Sequence, residues 1–460
     1  MTKHLRVAII GAGPAGIYAG NILKNQHPEV TIDLFDSLPA PYGLIRYGVA
    51  PDHPRIKGIV NSLHEMLSEG SIRFFGNVTF GRDLTIDDIR EHYHAVIFAT
   101  GAIKDADLNI PGIELDGSYG AADFVSWYDG HPDYPRTWPL KAQQLAVLGN
   151  GNVALDVARV LAKHAEDLLV TDIPANVYEG LKASPVTDVH VFGRRGPAQI
   201  KFTPIELREL GEVRDVDIVL YEEDFPEGWF NEDAEGVTNQ HRVMVRIMDG
   251  WREEQAERAA AGEPAASRRL HLHFFSSPVE ILGEDGKVSG MRFERTALNA
   301  DGSSVHGTGE FVEYPLQAVY RAVGYFGSEL PDVPFDDKYG VIRNQGGRVV
   351  DAEGAQQAGL YATGWIKRGP VGLIGHTKSD AAETIDNLLA DAEKLAEPAI
   401  GNTETLLAEL ANRGVEYTDW AGWQKLDAHE RALGAADESP VERERVKVVS
   451  RAEQVRVSRA

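Results

Sequence analysis

Two glycine-rich turns constrain this chain more than any other feature, because each follows a short apolar run and opens a helical stretch. The first, Gly11-Ala-Gly13-Pro-Ala15-Gly16, comes after residues 5–10, which read as a strand, and before a helix reaching about residue 25. In such a turn the first glycine makes the bend, the second lets backbone approach a pyrophosphate, and the third admits close packing of helix on sheet. A further strand at 31–35 ends in Asp36, near the ~20-residue interval at which a carboxylate accepts ribose hydroxyls. The fingerprint predicts dinucleotide binding at Gly11, Gly13, Gly16 and Asp36; an incidental glycine turn is the plain alternative.

The same device recurs at Gly149-Asn150-Gly151-Asn152-Val153-Ala154, after a strand at 145–148 and before a helix to about residue 164. Here Ala154 stands where the third glycine would be, and the next strand, 189–192, ends not in an acid but in Gly193-Arg194-Arg195-Gly196. Two guanidiniums beside an adenosine ribose form charge-assisted bonds to a 2′-phosphate, whereas a carboxylate repels it, so this turn is expected to take NADP rather than NAD. A surface arginine pair is the bland reading of the same residues. The long interval between Gly151 and Arg194 requires residues 165–185 to be an insertion.

Composition enters where electrons must be carried. The chain has no cysteine, which removes disulfides, thiolate nucleophiles, cysteine-bound metal or iron–sulfur clusters and redox dithiols. No metal site is expected, and an organic cofactor must do the electron chemistry. If the second turn takes NADP, its hydride needs a two-electron acceptor, so the first turn is expected to take FAD. Residues 369–374 at a helix start could offer amides and a positive dipole end to the flavin's pyrimidine side, with Trp365 covering ring surface. A loop before a helix and a core aromatic account for the same segment. The net charge of -24 opposes binding to nucleic acid or anionic lipid, and no apolar run approaches the ~18 residues of a membrane span. A strand already at residues 7–10 leaves no room for a signal peptide, so a cytoplasmic location is expected.

Elsewhere the pattern predicts a helix over 56–69, a strand at 72–75, a buried parallel strand at 95–99, and surface helix and loop between Arg214 and Arg269. Strand-like alternation runs from 271 to 293, with Asp285-Gly286 a hairpin turn between 279–282 and 288–293. Strands at 319–323 and 359–363, then a helix to about 395, return to the first unit. The remainder from about Gly401 reads as a covering element.

Taken in order, five segments resemble the adrenodoxin reductase type of ferredoxin–NADP reductase: 11–16, Tyr-Gly-Leu-Ile-Arg-Tyr-Gly-Val-Ala-Pro-Asp-His-Pro at 42–54, 149–159, 193–197, and Gly-Trp-Ile-Lys-Arg-Gly-Pro at 364–370. The resemblance implies an α/β protein of two Rossmann-like three-layer domains, the NADP domain inserted into the FAD domain. The FAD part would span 1–103 and 324–460, the NADP part 104–323, with crossings near Thr100-Gly101 and Ala322-Val323-Gly324. It implies FAD contacts at Ala15, Asp36, Leu44, Val78, Trp365, Gly372, Leu373 and Ile374. It implies NADP contacts at Asn150, Gly151, Asn152, Val153, Arg194, Arg195, Glu206 and Gly372. His53 and the pair Glu206/Glu209 match residues near the meeting of nicotinamide and flavin; spaced i, i+3, the glutamates share a helix face. On its own, His53 between Asp52 and Pro54 reads as a structural histidine.

The implied activity is hydride transfer from NADPH to flavin and single-electron delivery to a ferredoxin-like iron–sulfur protein. Against a charge of -24, an acidic ferredoxin needs a concentrated basic patch, for which Arg194, Arg195, Lys201 and Arg208 are the candidates. The missing cysteines exclude a dithiol reductase of the thioredoxin reductase kind. An NADPH-dependent flavin monooxygenase, or a nucleotide-binding redox sensor without turnover, remains an alternative; oxygen use would mark the first and a stable complex without turnover the second.

Overall fold

The computed structural model describes residues 3–232, 237–300, 302, 304–370 and 374–460. The strand Arg6–Ile10 sits between Thr31–Phe35 and Ala95–Phe98, parallel to both, with Val7 opposite Ile32 and Ala95. Apart from Arg6, Thr31 and Asp33 these strands are apolar, and they are buried on both faces, as a parallel strand covered by helices on each side must be. Ile72–Gly76 and Gln356–Ala362 extend the sheet in parallel, and short antiparallel strands finish its two edges: Arg348–Val350 and Asn344–Gln345 on one side, Thr418–Asp419 on the other. One apolar layer, containing Ile17, Leu63 and Ile385, packs on one face; another, containing Phe80, Ile89 and Leu406, packs on the opposite face.

A second sheet of six strands is parallel throughout, in the order Ser118–Gly120, Ala318–Arg321, Gln144–Leu148, Asp188–Phe192, Arg268–His273, Val216–Leu220. Its strands all lie between the two chain segments that build the first sheet, so the second unit is inserted into the first. The two crossings pair with one another: Lys104–Asp105 runs antiparallel to Tyr325–Phe326. This doubles the connection between the units. No helix among the described residues is long and apolar enough to cross a membrane.

Three segments differ from the sequence reading. The alternation starting at 271 divides, because Arg268–His273 joins the second parallel sheet while Ser276–Glu284 and Lys287–Leu298 form the hairpin. Asp285 (φ 51°) and Gly286 (φ 77°) supply its two left-handed turn residues. A third strand, Val305–Tyr314, completes a ribbon; its glycines and one exposed face hide it from a hydrophobic pattern. Between 214 and 269 the long helix Asn239–Ala261 is joined by the strand Val216–Leu220, which a surface reading missed because an edge strand is only half buried. The insertion holds the short helix Ala175–Lys182. The C-terminal covering segment contains Thr403–Asn412, Trp420–Ala435 and Arg451–Arg459.

Candidate active site

Both glycine turns are built in the same way. Gly11 donates its N–H to Phe35 O at 2.7 Å, and Gly149 donates to Phe192 O at 3.1 Å, each closing on the last residue of the following strand. A Cβ on Gly11 would lie 2.4 Å from Ala99 O, and one on Gly149 2.3 Å from Ala322 O, so neither position admits a side chain. Gly16 is equally closed, its missing Cβ falling 2.0 Å from Gly11 O. The middle glycines differ in kind. Gly151 has no heavy atom within 4 Å of its missing Cβ, and Gly13 meets only Gly43 Cα at 3.8 Å. Space that nothing in the chain fills, above amides opening a helix, is what an approaching pyrophosphate requires.

Asp36 ends the strand Thr31–Phe35 and is buried. Its two oxygens accept from Ala12 N–H (2.7 Å) and Leu38 N–H (2.8 Å), each leaving lone pairs for hydroxyl donors. Burial pushes its pKa up to about 6 against the pull of those two amides. Val78 is beside it, donating its N–H to Asp36 O. Leu44 opens the helix Leu44–Tyr47, partly exposed. The short helix Trp365–Arg368 brings Trp365 to the same turn: a Cβ on Gly364 would strike Ala15 Cβ at 2.6 Å, and Asp380 holds Gly364 N–H at 2.6 Å. Gly372 and Leu373 lie outside the described residues, and Ile374 opens the helix Ile374–Asp391.

At the second turn, Asn150 to Val153 are all partly exposed. Asn152 Oδ1 accepts the N–H of Thr203 at 3.3 Å, tying the turn to the segment that follows the arginine pair. The carbonyls of Arg194 and Arg195 accept bonds from Thr296 and Phe275. Among the described residues no carboxylate pairs with either guanidinium, so both remain available to an anionic ligand.

The two units meet at His53. Its Nε2 lies 2.7 Å from Asp156 Oδ1 and 2.9 Å from Arg159 Nη2, and its Nδ1 lies 3.0 Å from Glu209 Oε2. Asp156 and Arg159 stand on the helix Asn152–Ala162 that the second glycine turn opens, and Glu209 on Pro204–Gly211. Next to His53, Asp52 accepts two hydrogen bonds from Arg159, both 2.8 Å, and one from Lys163 at 2.7 Å. Burial raises the Asp52 carboxyl, but these cations overcome it and hold the group well below its ordinary range. For His53, burial disfavours the charged ring, yet the bond and charge of Asp156, helped by Glu209, outweigh it and raise the pKa. Burial raises Glu209, only partly offset by His53 and Arg159. Since Nε2 faces a carboxylate acceptor and a guanidinium donor together, the site can serve His53 with or without a proton there.

The structure therefore joins His53 to Glu209. Glu206, one turn earlier on the same helix, is buried with Oε2 unpartnered among the described residues. Asp156, Arg159 and Lys163 were not singled out from sequence. Their spacing i, i+3 and i+7 on an otherwise apolar helix was the available signal, since charges among Val, Ala and Leu need partners from another element. A separate cluster, His190, His271 and His273, brings ring nitrogens within 4.8 Å. Its rings stack, with His190 and His271 only 11° apart in plane, and near-parallel planes do not aim lone pairs at one point. His271 is bonded to Asp188 and Tyr221, and His190 to His273, so the cluster reads as a packed hydrogen-bonded stack.

Comparison with known proteins agrees with this geometry. Residues 5–184 match the family model described as pyridine nucleotide-disulphide oxidoreductase. The chain is 38% identical over 466 residues to NADPH-ferredoxin reductase FprA of Mycobacterium tuberculosis, covering 98% of each. It is 38% identical over 450 residues to the human mitochondrial NADPH:adrenodoxin oxidoreductase, covering 96% of this chain and 90% of that one. The solved structure of the M. tuberculosis FprA in complex with NADPH matches over 100% of both chains with a TM-score of 0.88. With two dinucleotide turns, the second in an inserted unit, an arginine pair in place of the second acid, and 38% identity to these reductases over nearly the whole chain, the protein belongs to the adrenodoxin reductase type of ferredoxin–NADP reductases.

Proposed function

We propose that this protein takes a hydride from NADPH onto a bound FAD and delivers the electrons one at a time to a ferredoxin-like iron–sulfur protein. The observation that carries the reading is the meeting at His53, where the loop after the first turn's βαβ unit bonds to the helix opened by the second turn. Two dinucleotides seated on those turns would have their reactive ends brought together by that contact. When bound, FAD supplies the conversion between two-electron and one-electron transfer.

The chain's own residues bind, orient and hold a proton. We assign FAD to residues 1–103 and 324–460, with Gly11, Gly13, Ala15, Gly16, Asp36, Leu44, Val78 and Trp365 as its contacts together with Gly372, Leu373 and Ile374. NADP is assigned to 104–323, with Asn150, Gly151, Asn152 and Val153 at the pyrophosphate and Arg194 and Arg195 at the 2′-phosphate. Glu206 and Glu209 would orient the nicotinamide carboxamide, and Glu206 Oε2 has a buried lone pair to offer. His53 can take up or release a proton at Nε2 between Asp156 and Arg159 without leaving either neighbour unserved.

Partner docking is assigned to the group Arg194, Arg195, Lys201 and Arg208; with the first two engaged by the 2′-phosphate, the exposed Lys201 and Arg208 are left to carry it. A cytoplasmic location belongs to the same proposal. The test is anaerobic and aerobic turnover with NADPH and a 2Fe–2S ferredoxin. Ferredoxin should be reduced at about two equivalents per NADPH with little oxygen consumed; stoichiometric oxygen use and no ferredoxin reduction would favour a monooxygenase instead.

A further inference from the structure

The C-terminal covering segment does more than cover. Three cations four residues apart, Arg443, Lys447 and Arg451, each reach the inserted unit. Arg443 donates to Ile173 O at 2.6 Å. Lys447, 1% exposed, donates to Asp129 O at 3.1 Å and lies 3.2 Å from Asp172 and 3.5 Å from Asp129 Oδ1. Arg451 forms a bidentate pair with Asp133 at 2.7 and 2.8 Å.

Two of the three hold the first unit at the same time. Lys447 donates to Arg46 O at 2.8 Å, and Arg46 itself is buried in a two-bond pair with Glu430. Arg451 donates to Ser37 O at 2.6 Å and Asn77 Oδ1 at 2.9 Å, beside Asp36. The same knot includes Lys57, 3.4 Å from Asp129 and 3.2 Å from Asp172, on the one-turn helix that starts after His53. Thus the middle of the segment grips the stretch leading to His53 and its last residue grips the neighbourhood of Asp36. The loop buries Val448 and Val449, which is all that covering a core would require. It also sets the buried charges of Arg443 and Lys447 on backbone carbonyls of the two units, which costs desolvation unless every partner is in place and so favours a single arrangement.

We infer that residues 443–451 are a brace across the two dinucleotide units, and that Lys447 and Arg451 are positioning residues which fix how closely the two sites approach. The inference rests on the proposed function only for what is being positioned. Hydride transfer needs reacting atoms held within about 3–3.5 Å, so a loosened brace lowers the rate without removing a group that touches either dinucleotide.

The absence of native cysteine makes the test direct. Glu69→Cys on the first unit and Glu253→Cys on the second, both exposed positions, carry nitroxide labels in the holoenzyme, and pulsed EPR reads the distribution of distances between them. In the otherwise native protein one narrow distribution is expected. Lys447→Met and, separately, Arg451→Gln should broaden it or add a second population. Anaerobic hydride transfer at saturating NADPH should slow roughly tenfold, with flavin content and NADPH affinity kept. Unchanged distributions in both variants, or broadening with no change in transfer rate, would overturn the inference. Should Lys447→Met fail to fold, Arg451→Gln, at a partly exposed position, decides alone. Failure of NADPH to reduce the flavin in the unaltered protein would strike the proposed function, and the distance distributions would still judge the brace.

Discussion

His53 sits where one nitrogen is shared by an acid and a cation, so its protonation should affect both stability and rate. Its folded pKa is raised, so the stability gained from Asp156 is full below the ordinary histidine value and is lost as pH rises through the folded value. The melting-temperature gap between the native protein and His53→Gln should therefore be widest near pH 6 and narrow towards pH 9. A gap that widened with pH would reverse the assignment. Flavin should remain bound in the variant while hydride transfer slows by roughly tenfold or more. At the arginine pair, Arg194→Ala with Arg195→Ala should weaken NADPH roughly a hundredfold and NADH less than threefold in titrations of the holoenzyme, since charged hydrogen bonds contribute about 1.5–3 kcal/mol each. Equal weakening of both would mean that the pair does not read the phosphate. That the arginine pair follows the strand Asp188–Phe192 was legible because a strand end in a dinucleotide unit is a defined place. Asp156, Arg159 and Lys163 were not, because a charge on a helix looks solvated until the other unit's Asp52 and His53 are folded against it.

At the scale of elements, the glycines divide into those that close a turn and those that leave it open. Gly149→Ala would push a methyl to 2.3 Å from Ala322 O, and it should destabilise the inserted unit by roughly 2–4 kcal/mol, read as a lowered denaturation midpoint. Gly151→Ala meets no chain atom; it should melt within a few degrees of the native protein yet bind NADPH at least roughly tenfold more weakly, because the methyl takes the space of the pyrophosphate. The reverse order of effects would refute the division of roles. Parallel strands such as Arg6–Ile10 and Gln144–Leu148 were readable because burial on both faces writes an unbroken apolar run. Val216–Leu220 and Val305–Tyr314 were not, since one lies at a sheet edge and the other keeps a polar exposed face, and neither carries that run.

For the whole molecule, the inserted arrangement was legible only through the repeat of the glycine device and the family resemblance. What the segment after Gly401 does was not legible, because its cations find partners up to 414 positions away in the chain, between Ser37 and Arg451. The overall charge of -24 shows the same limit: an average says nothing about Arg194, Lys201 and Arg208 standing exposed beside the second turn. All of these features serve one claim, that a flavin and a pyridine nucleotide are held side by side across the contact at His53. The most direct measurement is the visible spectrum of the purified protein before and after one equivalent of NADPH without oxygen. The expected result is the absorption bands of an oxidised flavin that bleach on NADPH addition, and far less with NADH. A protein that stays colourless after incubation with FAD, or a flavin that NADPH leaves unbleached, would contradict it.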